Sequence, residues 1–390
     1  MDPILTAKLI FFVSVGAVLY VYAGYPVLVM LIARFAASKV ARSEIEPNVS
    51  LIITAFNEEK DIRAKLENTL QLDYPKQKLE IIVASDCSDD GTDDIVREFA
   101  GRGVRLVRAE RRGGKTSAQN LAVEAANGEI LVFSDATSIY EAGAVRELVA
   151  NFADPTVGCA AGRLSYVDPD DSTVGSGARS YWSYETLLKK AESSVCSLIG
   201  VSGCIYAVRR SAYRPMYPEA CSDFLIATEV FRQRMRTVYE PAAVCTEETN
   251  RRSQKEMKMR IRVIAQTIAD LWRNRDMLNP FKSGFFAVQL ISHKVLRYSV
   301  PVFLVIAFAA SAFLASTSTA FLVIVSAQAA FAAAAIFGWV LEQIGLKPGP
   351  FGIPLYFALA NLASIAGFFQ FVRGERYAAW DPIRDAGPAS

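Results

Sequence analysis

The chain has 390 residues, 52% of them apolar, and 42 Lys and Arg balance 40 Asp and Glu to leave a net charge of +2. That balance excludes bulk attraction to nucleic acid or another polyanion, and the length implies more than one unit at ~100–200 residues per domain. Six cysteines (Cys87, Cys159, Cys196, Cys204, Cys221, Cys245) form no Cys-x-x-Cys pair and read as reduced intracellular thiols without a zinc site, and a lone His293 excludes a multi-histidine metal centre.

Residues 4–33 are apolar apart from Lys8, long enough for one tilted membrane span of ~20 residues. The run is too long for a signal peptide, lacks a basic start, and continues into Arg34, Lys39 and Arg42. Those cations predict a cytoplasmic end after the span and an outside N-terminus.

Strand and helix then alternate. Strands are expected at Val49–Ala55, 79–84, 104–108 and 129–134. Helices are expected from Asn57-Glu58-Glu59 to about Leu70, over 90–100 and over 116–126. This βαβ order implies a mostly parallel sheet with right-handed crossovers. After Gly158 the pattern loosens. Tyr181–Val195 and Asp223–Arg234 read as helices, Ile205–Val208 as a strand and Val238–Ala243 as a short strand.

Two buried-strand runs, Ile81–Ala84 and Ile130–Phe133, end in Ser85-Asp86 and Ser134-Asp135. Open α/β sheets bind ligands beyond the carboxyl ends of their strands. Between the two runs, Gly113-Gly114-Lys115 opens a helix. The set offers carboxylates for a metal or ribose and a cation for phosphate, and so suggests a nucleotide-sugar site.

Three further spans follow at about 299–316, 320–341 and 353–372, each without charge until its edge. The first is the shortest. Four spans from an outside N-terminus leave the C-terminus outside, whereas Arg373 and Arg376 prefer the inside. Either one segment is re-entrant or the charge bias is overridden; the middle is cytoplasmic in both cases. The expected organisation is a transmembrane helix at 1–36, a cytoplasmic α/β domain at 48–252, interfacial helices at 253–298, about three transmembrane helices at 299–373 and a tail at 374–390. Localisation is the inner or plasma membrane.

Seven segments in order carry a family resemblance: ITAFNEE (53–59), SDCSDDGT (85–92), GGKTSAQN (113–120), FSDAT (133–137), VSGCIYAVRR (201–210), CSDF (221–224) and EMKMRIRV (256–263). The chain resembles membrane-bound family 2 glycosyltransferases, the group of hyaluronan, chitin, cellulose and exopolysaccharide synthases. The resemblance implies a GT-A type nucleotide-sugar-binding domain inserted between transmembrane helices, with interfacial amphipathic helices. It implies transfer from a nucleotide-sugar donor, with a UDP-sugar favoured, to a lipid-linked or growing glycan acceptor. Membrane lipid and polysaccharide-assembly proteins are the expected partners; nucleic acid is not.

Two departures from the family pattern matter. The Asp-x-Asp position reads Asp135-Ala136-Thr137, so one carboxylate is missing. Magnesium tolerates one carboxylate plus diphosphate and water, and Mg2+ or Mn2+ remains the expected cofactor. The Gln-x-x-Arg-Trp position reads Met259-Arg260-Ile261-Arg262-Val263. The arginine is present, but the tryptophan that packs on the acceptor sugar in processive relatives is absent, which favours limited sugar addition.

The resemblance and the charges together assign roles. Asp223 is the expected base, with Ser202, Gly203 and Ser222 on the acceptor side. Asp135 is the metal ligand. Thr54, Ala55, Asn57, Glu58, Asp86, Lys115, Asp135 and Arg262 are expected to line the donor.

Each has a plainer alternative. Asp86 and Asp89 with Gly91 also suit an Asx turn and helix cap, Asp223 suits a helix start, and Lys115 suits a solvated loop. The run Lys255, Lys258, Arg260, Arg262 suits a helix on anionic lipid. His293 reads as interfacial, and Tyr181, Trp182 and Tyr184 as core or sugar-stacking. Two other functions stay open, a processive polysaccharide synthase and an inactive sugar-nucleotide-binding subunit of a synthase complex.

Overall fold

The computed structural model describes residues 2–167, 173–248 and 253–378, with the side chains of 173–183, 253 and 255 outside the description. Tyr181, Trp182 and Lys255 belong to that undescribed set, as do the 252/253 boundary and most of the tail.

The N-terminal segment forms α1 (Pro3–Leu19) and α2 (Tyr25–Ala36), joined by a single wide turn at Tyr20–Gly24. Asp2 caps it by accepting from the Ile4 amide at 3.0 Å, with Pro3 in the first turn where its missing N–H costs nothing. The α/β unit follows: β1 (Val49–Ala55), α3 (Ile62–Leu70), β2 (Leu79–Ser85), α4 (Thr92–Glu98), β3 (Val104–Arg108), α5 (Lys115–Ala125), β4 (Ile130–Asp135), β5 (Ile139–Tyr140), α6 (Ala144–Ala150), β6 (Val157–Val167), α7 (Thr173–Val195), β7 (Tyr206–Arg209), α8 (Ser222–Arg232) and β8 (Arg236–Glu248).

Among the described residues these strands make one eight-stranded mixed sheet in the order β3-β2-β1-β4-β7-β6-β8-β5. β1, β2, β3 and β4 pair in parallel, β7 runs antiparallel to β4 and β6, and β8 runs parallel to β6. Two apolar layers cover its faces. One holds Leu51, Ile53, Val83 and Val132, the other Ile52, Ile82, Leu131 and Phe133. Successive residues of one strand thus enter opposite cores, as the strand repeat requires. The odd-even split in β1 and β4 points Thr54 and Asp135, register partners, to the same side.

Three expectations need correction. The segment Asn57-Glu58-Glu59 does not open a helix. Asn57 takes φ 54°, a left-handed turn that asparagine tolerates, and α3 starts only at Ile62. The loosened pattern after Gly158 hides the eleven-residue β6, and the short strand at Val238–Ala243 is the middle of the thirteen-residue β8. Their pairing carries register shifts between Val157 and Cys159 and between Ala161 and Arg163, which break the alternation a sequence would show.

After β8 the chain forms α9 (Ser253–Arg273), α10 (Pro280–Ser283), α11 (Phe285–Leu290), α12 (Leu296–Leu314), α13 (Thr319–Gln343) and α14 (Gly352–Val372). Among the described residues, four stretches are long and apolar enough to cross a membrane: Pro3–Ala36, Phe285–Leu314, Thr319–Gln343 and Gly349–Val372. Phe285–Leu314 is a continuous helical run of 30 residues that crosses the boundary expected at 298/299, and it is longer than the span expected at 299–316. α9 lies along α14, close enough that a side chain at Gly367 would strike Ile264 at 2.8 Å.

His293 is buried within the protein. Its Nδ1 lies 2.9 Å from Glu192 and its Nε2 3.3 Å from Glu185. Tyr25 of α2 donates to Glu192 at 2.5 Å and Arg297 pairs with Glu185 at 2.5 Å. The apolar sequence around His293 conceals partners about a hundred residues upstream.

Candidate active site

The site lies at the carboxyl ends of β1, β2 and β4, where three loops are tied together. Asn57 and Asp89 bond reciprocally: Asn57 Nδ2 donates to Asp89 at 2.6 Å, and the Asp89 amide donates to Asn57 Oδ1 at 3.0 Å. The amides of Asn57, Glu58 and Glu59 donate to Ser88 (3.1 Å), Thr92 (2.7 Å) and Asp90 (3.2 Å). The acids expected to start a helix therefore form a turn welded to the next loop. Glu58 is buried within it.

Asp86 is fully buried and holds the glycine turn. Its two carboxylate oxygens accept from the amides of Gly113 (2.7 Å) and Gly114 (2.8 Å), and its own amide donates to Ala55 at 2.9 Å. Gly114 sits at φ 89°, ψ 169°, a region open in practice only to glycine. Asp86 thus fixes the loop that delivers Lys115.

Lys115, first residue of α5, reaches across the sheet end. Its ammonium pairs with Asp135 and lies 3.5 Å from the carbonyl of Gly203. Burial alone lowers its pKa, but the carboxylates of Asp135 and Asp223 outweigh that and hold it above the usual lysine value. It is therefore a fixed cation. A Cβ at Gly203 would lie 3.1 Å from Lys115 Nζ and 3.2 Å from Asp223 Oδ2. The absent side chain at 203 leaves room for the cation and the carboxylate on either side of it.

Asp223 stands in the first turn of α8, after Cys221. Its Oδ1 accepts from the Cys221 thiol (2.9 Å) and the Phe224 amide (3.1 Å). The Val201 amide donates to the Asp223 carbonyl at 2.8 Å, locking the 201–205 loop against α8. Ser202 is buried and accepts from Lys189 at 3.1 Å; Ser222 is buried as well. Lys115, Asp135, Gly203 and Asp223 thus converge, with Ser202 and Ser222 on one flank and Thr54, Ala55 and Asp86 behind. Arg262 lies on α9, near enough to the Tyr377 hydroxyl to act on it electrostatically.

Three residues of this region gave no sequence signal. Glu247 on β8 hydrogen-bonds Ser138, three residues beyond Asp135. Burial first and then the charge of Asp135 raise its carboxyl to about 6. Lys65 is fully buried, donates to the Ser138 carbonyl at 2.6 Å and sits 3.9 Å over the Tyr140 ring; burial lowers it to about 8. Asp270 of α9 accepts from the Cys221 amide at 2.9 Å and from the Tyr217 hydroxyl.

Among the described residues no three or more His, Cys, Asp and Glu gather as a metal cluster. The donor set that does exist suits a hard cation sharing its ligands with phosphate. It comprises the Asp135 carboxylate, Glu247 held at Ser138, and the Thr54 hydroxyl, which is 3% exposed and without a hydrogen-bond partner beside Asp135 in the sheet.

Residues 50–215 match the model of the family described as Glycosyl transferase family 2. Among curated relatives, the probable glycosyltransferase YdaM of Bacillus subtilis (strain 168) is 37% identical over 128 residues, covering 31% of this chain and 30% of that protein. The poly-beta-1,6-N-acetyl-D-glucosamine synthase of Staphylococcus epidermidis is 23% identical over 248 residues, covering 62% of this chain and 56% of that one. The match thus spans little more than half of either relative's length at most.

Among solved structures, the mannosyltransferase PcManGT from Pyrobaculum calidifontis, in complex with GDP-Man and Mn2+, superposes with a TM-score of 0.72 at 23% identity. The superposition covers 94% of this chain and 100% of that one. The fold is GT-A-like, flanked by helices long and apolar enough to span a membrane.

Proposed function

We propose that this protein is a membrane-bound inverting glycosyltransferase. It moves a sugar from a nucleotide-sugar donor to a lipid-linked or growing glycan acceptor in polysaccharide synthesis. The observation that carries the reading is the placement of Lys115 between Asp135 and Asp223, made possible by Gly203. One cation and two carboxylates at the strand ends are what a single displacement at an anomeric carbon requires.

In that reaction the acceptor oxygen bonds to the anomeric carbon as the bond from that carbon to the diphosphate oxygen breaks. The configuration inverts, and the acceptor proton passes to Asp223. A positioned carboxylate base contributes roughly 10²–10⁴-fold. The thiol of Cys221 and the amide of Phe224 occupy Oδ1, so we assign Oδ2, on the Gly203 side, to the proton. Lys115 balances negative charge on the departing diphosphate, and Arg262 would pair with diphosphate oxygens from α9. Asp86 acts mainly through the Gly113-Gly114 turn, while Asn57, Glu58, Thr54 and Ala55 wall the donor.

A bound Mg2+ or Mn2+ would neutralise the diphosphate. Asp135 would hold it, with Glu247 and Thr54 adjoining. A UDP-sugar is the favoured donor.

Limited addition fits the acceptor side. Val263, where processive relatives place an aromatic, packs with the apolar cluster that contains Cys221 and Phe224. An aromatic there would offer a stacking face beside Asp223; valine does not. The α/β domain faces the cytoplasm of the inner or plasma membrane in this reading, by the charges Arg34, Lys39 and Arg42. Full-length protein in lipid nanodiscs, given a donor panel and a membrane lipid extract, should yield discrete short products. A ladder running to long polymer without partner proteins would show the processive alternative instead.

A further inference from the structure

The carboxylate of Asp223 is held by Cys221, and Cys221 is in turn held from outside its own helix. Asp270, on α9, is fully buried. Its Oδ2 accepts from the Cys221 amide at 2.9 Å, and its Oδ1 accepts from the Tyr217 hydroxyl. Cys221 caps α8, and its thiol donates to Asp223 Oδ1 at 2.9 Å. Burial, Asp223 and Asp270 all push the Cys221 thiol well above its usual pKa, so it keeps its proton and remains a donor. Arg273, three residues along α9, lies over the Tyr217 ring at 4.1 Å.

We propose that Asp270 is a positioning residue for the transfer reaction: from helix α9 it fixes Cys221, and through the Cys221 thiol it sets the carboxylate of Asp223.

This rests on the glycosyltransferase reading and deepens it. A simple loop clasp does not need a charge. An asparagine in the same place would accept from the Cys221 amide and avoid burying an ion, the costlier choice. The groups facing Asp270 are Tyr217, Cys221, Asp223 and Arg273, so the carboxylate can act on the base through the thiol as well as hold the loop. Burial is the leading cause that lifts Asp270 to about 7, with Asp223 adding to it and Tyr217, the Cys221 amide and Arg273 opposing. Protonation would add a hydrogen on the side where the Tyr217 hydroxyl donates and would loosen the clasp. α9 also lies along the membrane helix α14, so the setting of the base depends on how that helix is docked.

The experiment measures nucleoside diphosphate release by full-length protein in nanodiscs from GDP-mannose, UDP-glucose and UDP-N-acetylglucosamine. It compares wild type, Asp270→Asn and Tyr217→Phe across pH 5.5–8.5. For the donor that is turned over, Asp270→Asn should lower kcat about tenfold or more and leave donor KM within about twofold. The wild-type kcat should fall as pH drops through about 7, and the Asp270→Asn profile should be flat there. Tyr217→Phe removes a bond that lowers the Asp270 pKa, so it should move the limb to higher pH. An unchanged kcat in Asp270→Asn overturns the proposal, as does a KM change that accounts for the loss or a Tyr217→Phe limb left in place. A wild-type protein that binds donor and releases no diphosphate overturns the glycosyltransferase reading and this inference with it.

Discussion

Lys115 and Asp223 approach each other over Gly203, where a single added carbon would stand 3.1 Å from the ammonium and 3.2 Å from the carboxylate oxygen. Gly203 is thus a spacer for chemistry, at an ordinary backbone conformation where glycine is not needed for φ. Gly203→Ala should push both charged ends back by a few tenths of an ångström. We predict a loss of about tenfold or more in turnover with a melting temperature close to wild type. A variant with full turnover would show that the approach at Gly203 is not used.

Metal binding should depend on Asp135. Mn2+ affinity in the presence of UDP, read by calorimetry or by electron paramagnetic resonance, is expected to vanish in Asp135→Asn. It should weaken in Glu247→Gln, whose side chain keeps the Ser138 contact but loses charge. Chelation should stop turnover in the wild type. Undiminished Mn2+ binding by Asp135→Asn would remove that residue from the metal site.

The sequence showed the parts of this site that sit on local structure. Asp86 and Asp135 follow apolar strands, Lys115 follows a Gly-Gly turn, and Asp223 opens a helix, so each is visible within about ten residues. Asp270, Glu247 and Lys65 act through contacts closed by the tertiary fold: Asp270 reaches back 49 residues to Cys221, and Glu247 reaches 109 residues to Ser138. No local pattern marks such residues. β6 was illegible for a related reason. Its register shifts against β8 and its small residues Gly158 and Gly162 erase the period-two pattern, although both glycines sit where a Cβ would strike neighbours under 3.0 Å away.

His293 gives a stability prediction. Both ring nitrogens face carboxylates, Nδ1 toward Glu192 and Nε2 toward Glu185, and Arg297 pairs with Glu185 as well. His293→Ala leaves a buried carboxylate short of its partner, a change worth about 3–5 kcal/mol. A clear fall in the thermal midpoint in detergent is expected, and an unchanged midpoint would mean that the network contributes nothing.

Asp270 also sets a pH dependence of stability. Its folded pKa of about 7 lies above the ~3.9 of an unfolded aspartate. Between those values the folded chain holds a proton that the unfolded chain has released, so stability falls as pH rises through this window and is lowest above 7. Asp270→Asn removes that penalty. The variant should gain stability relative to wild type at pH 8 compared with pH 5, while losing activity. Parallel stability curves for the two proteins would contradict the assignment.

The most direct measurement is nucleoside diphosphate release by the purified full-length protein, wild type against Asp223→Asn, across GDP-mannose, UDP-glucose and UDP-N-acetylglucosamine, with donor binding measured in parallel. The wild type should release diphosphate from at least one donor. Asp223→Asn should bind that donor with similar affinity and turn it over roughly 10²–10⁴-fold more slowly. Near-wild-type turnover in Asp223→Asn, or donor binding by the wild type with no release at all, would contradict the assignment of this site to sugar transfer.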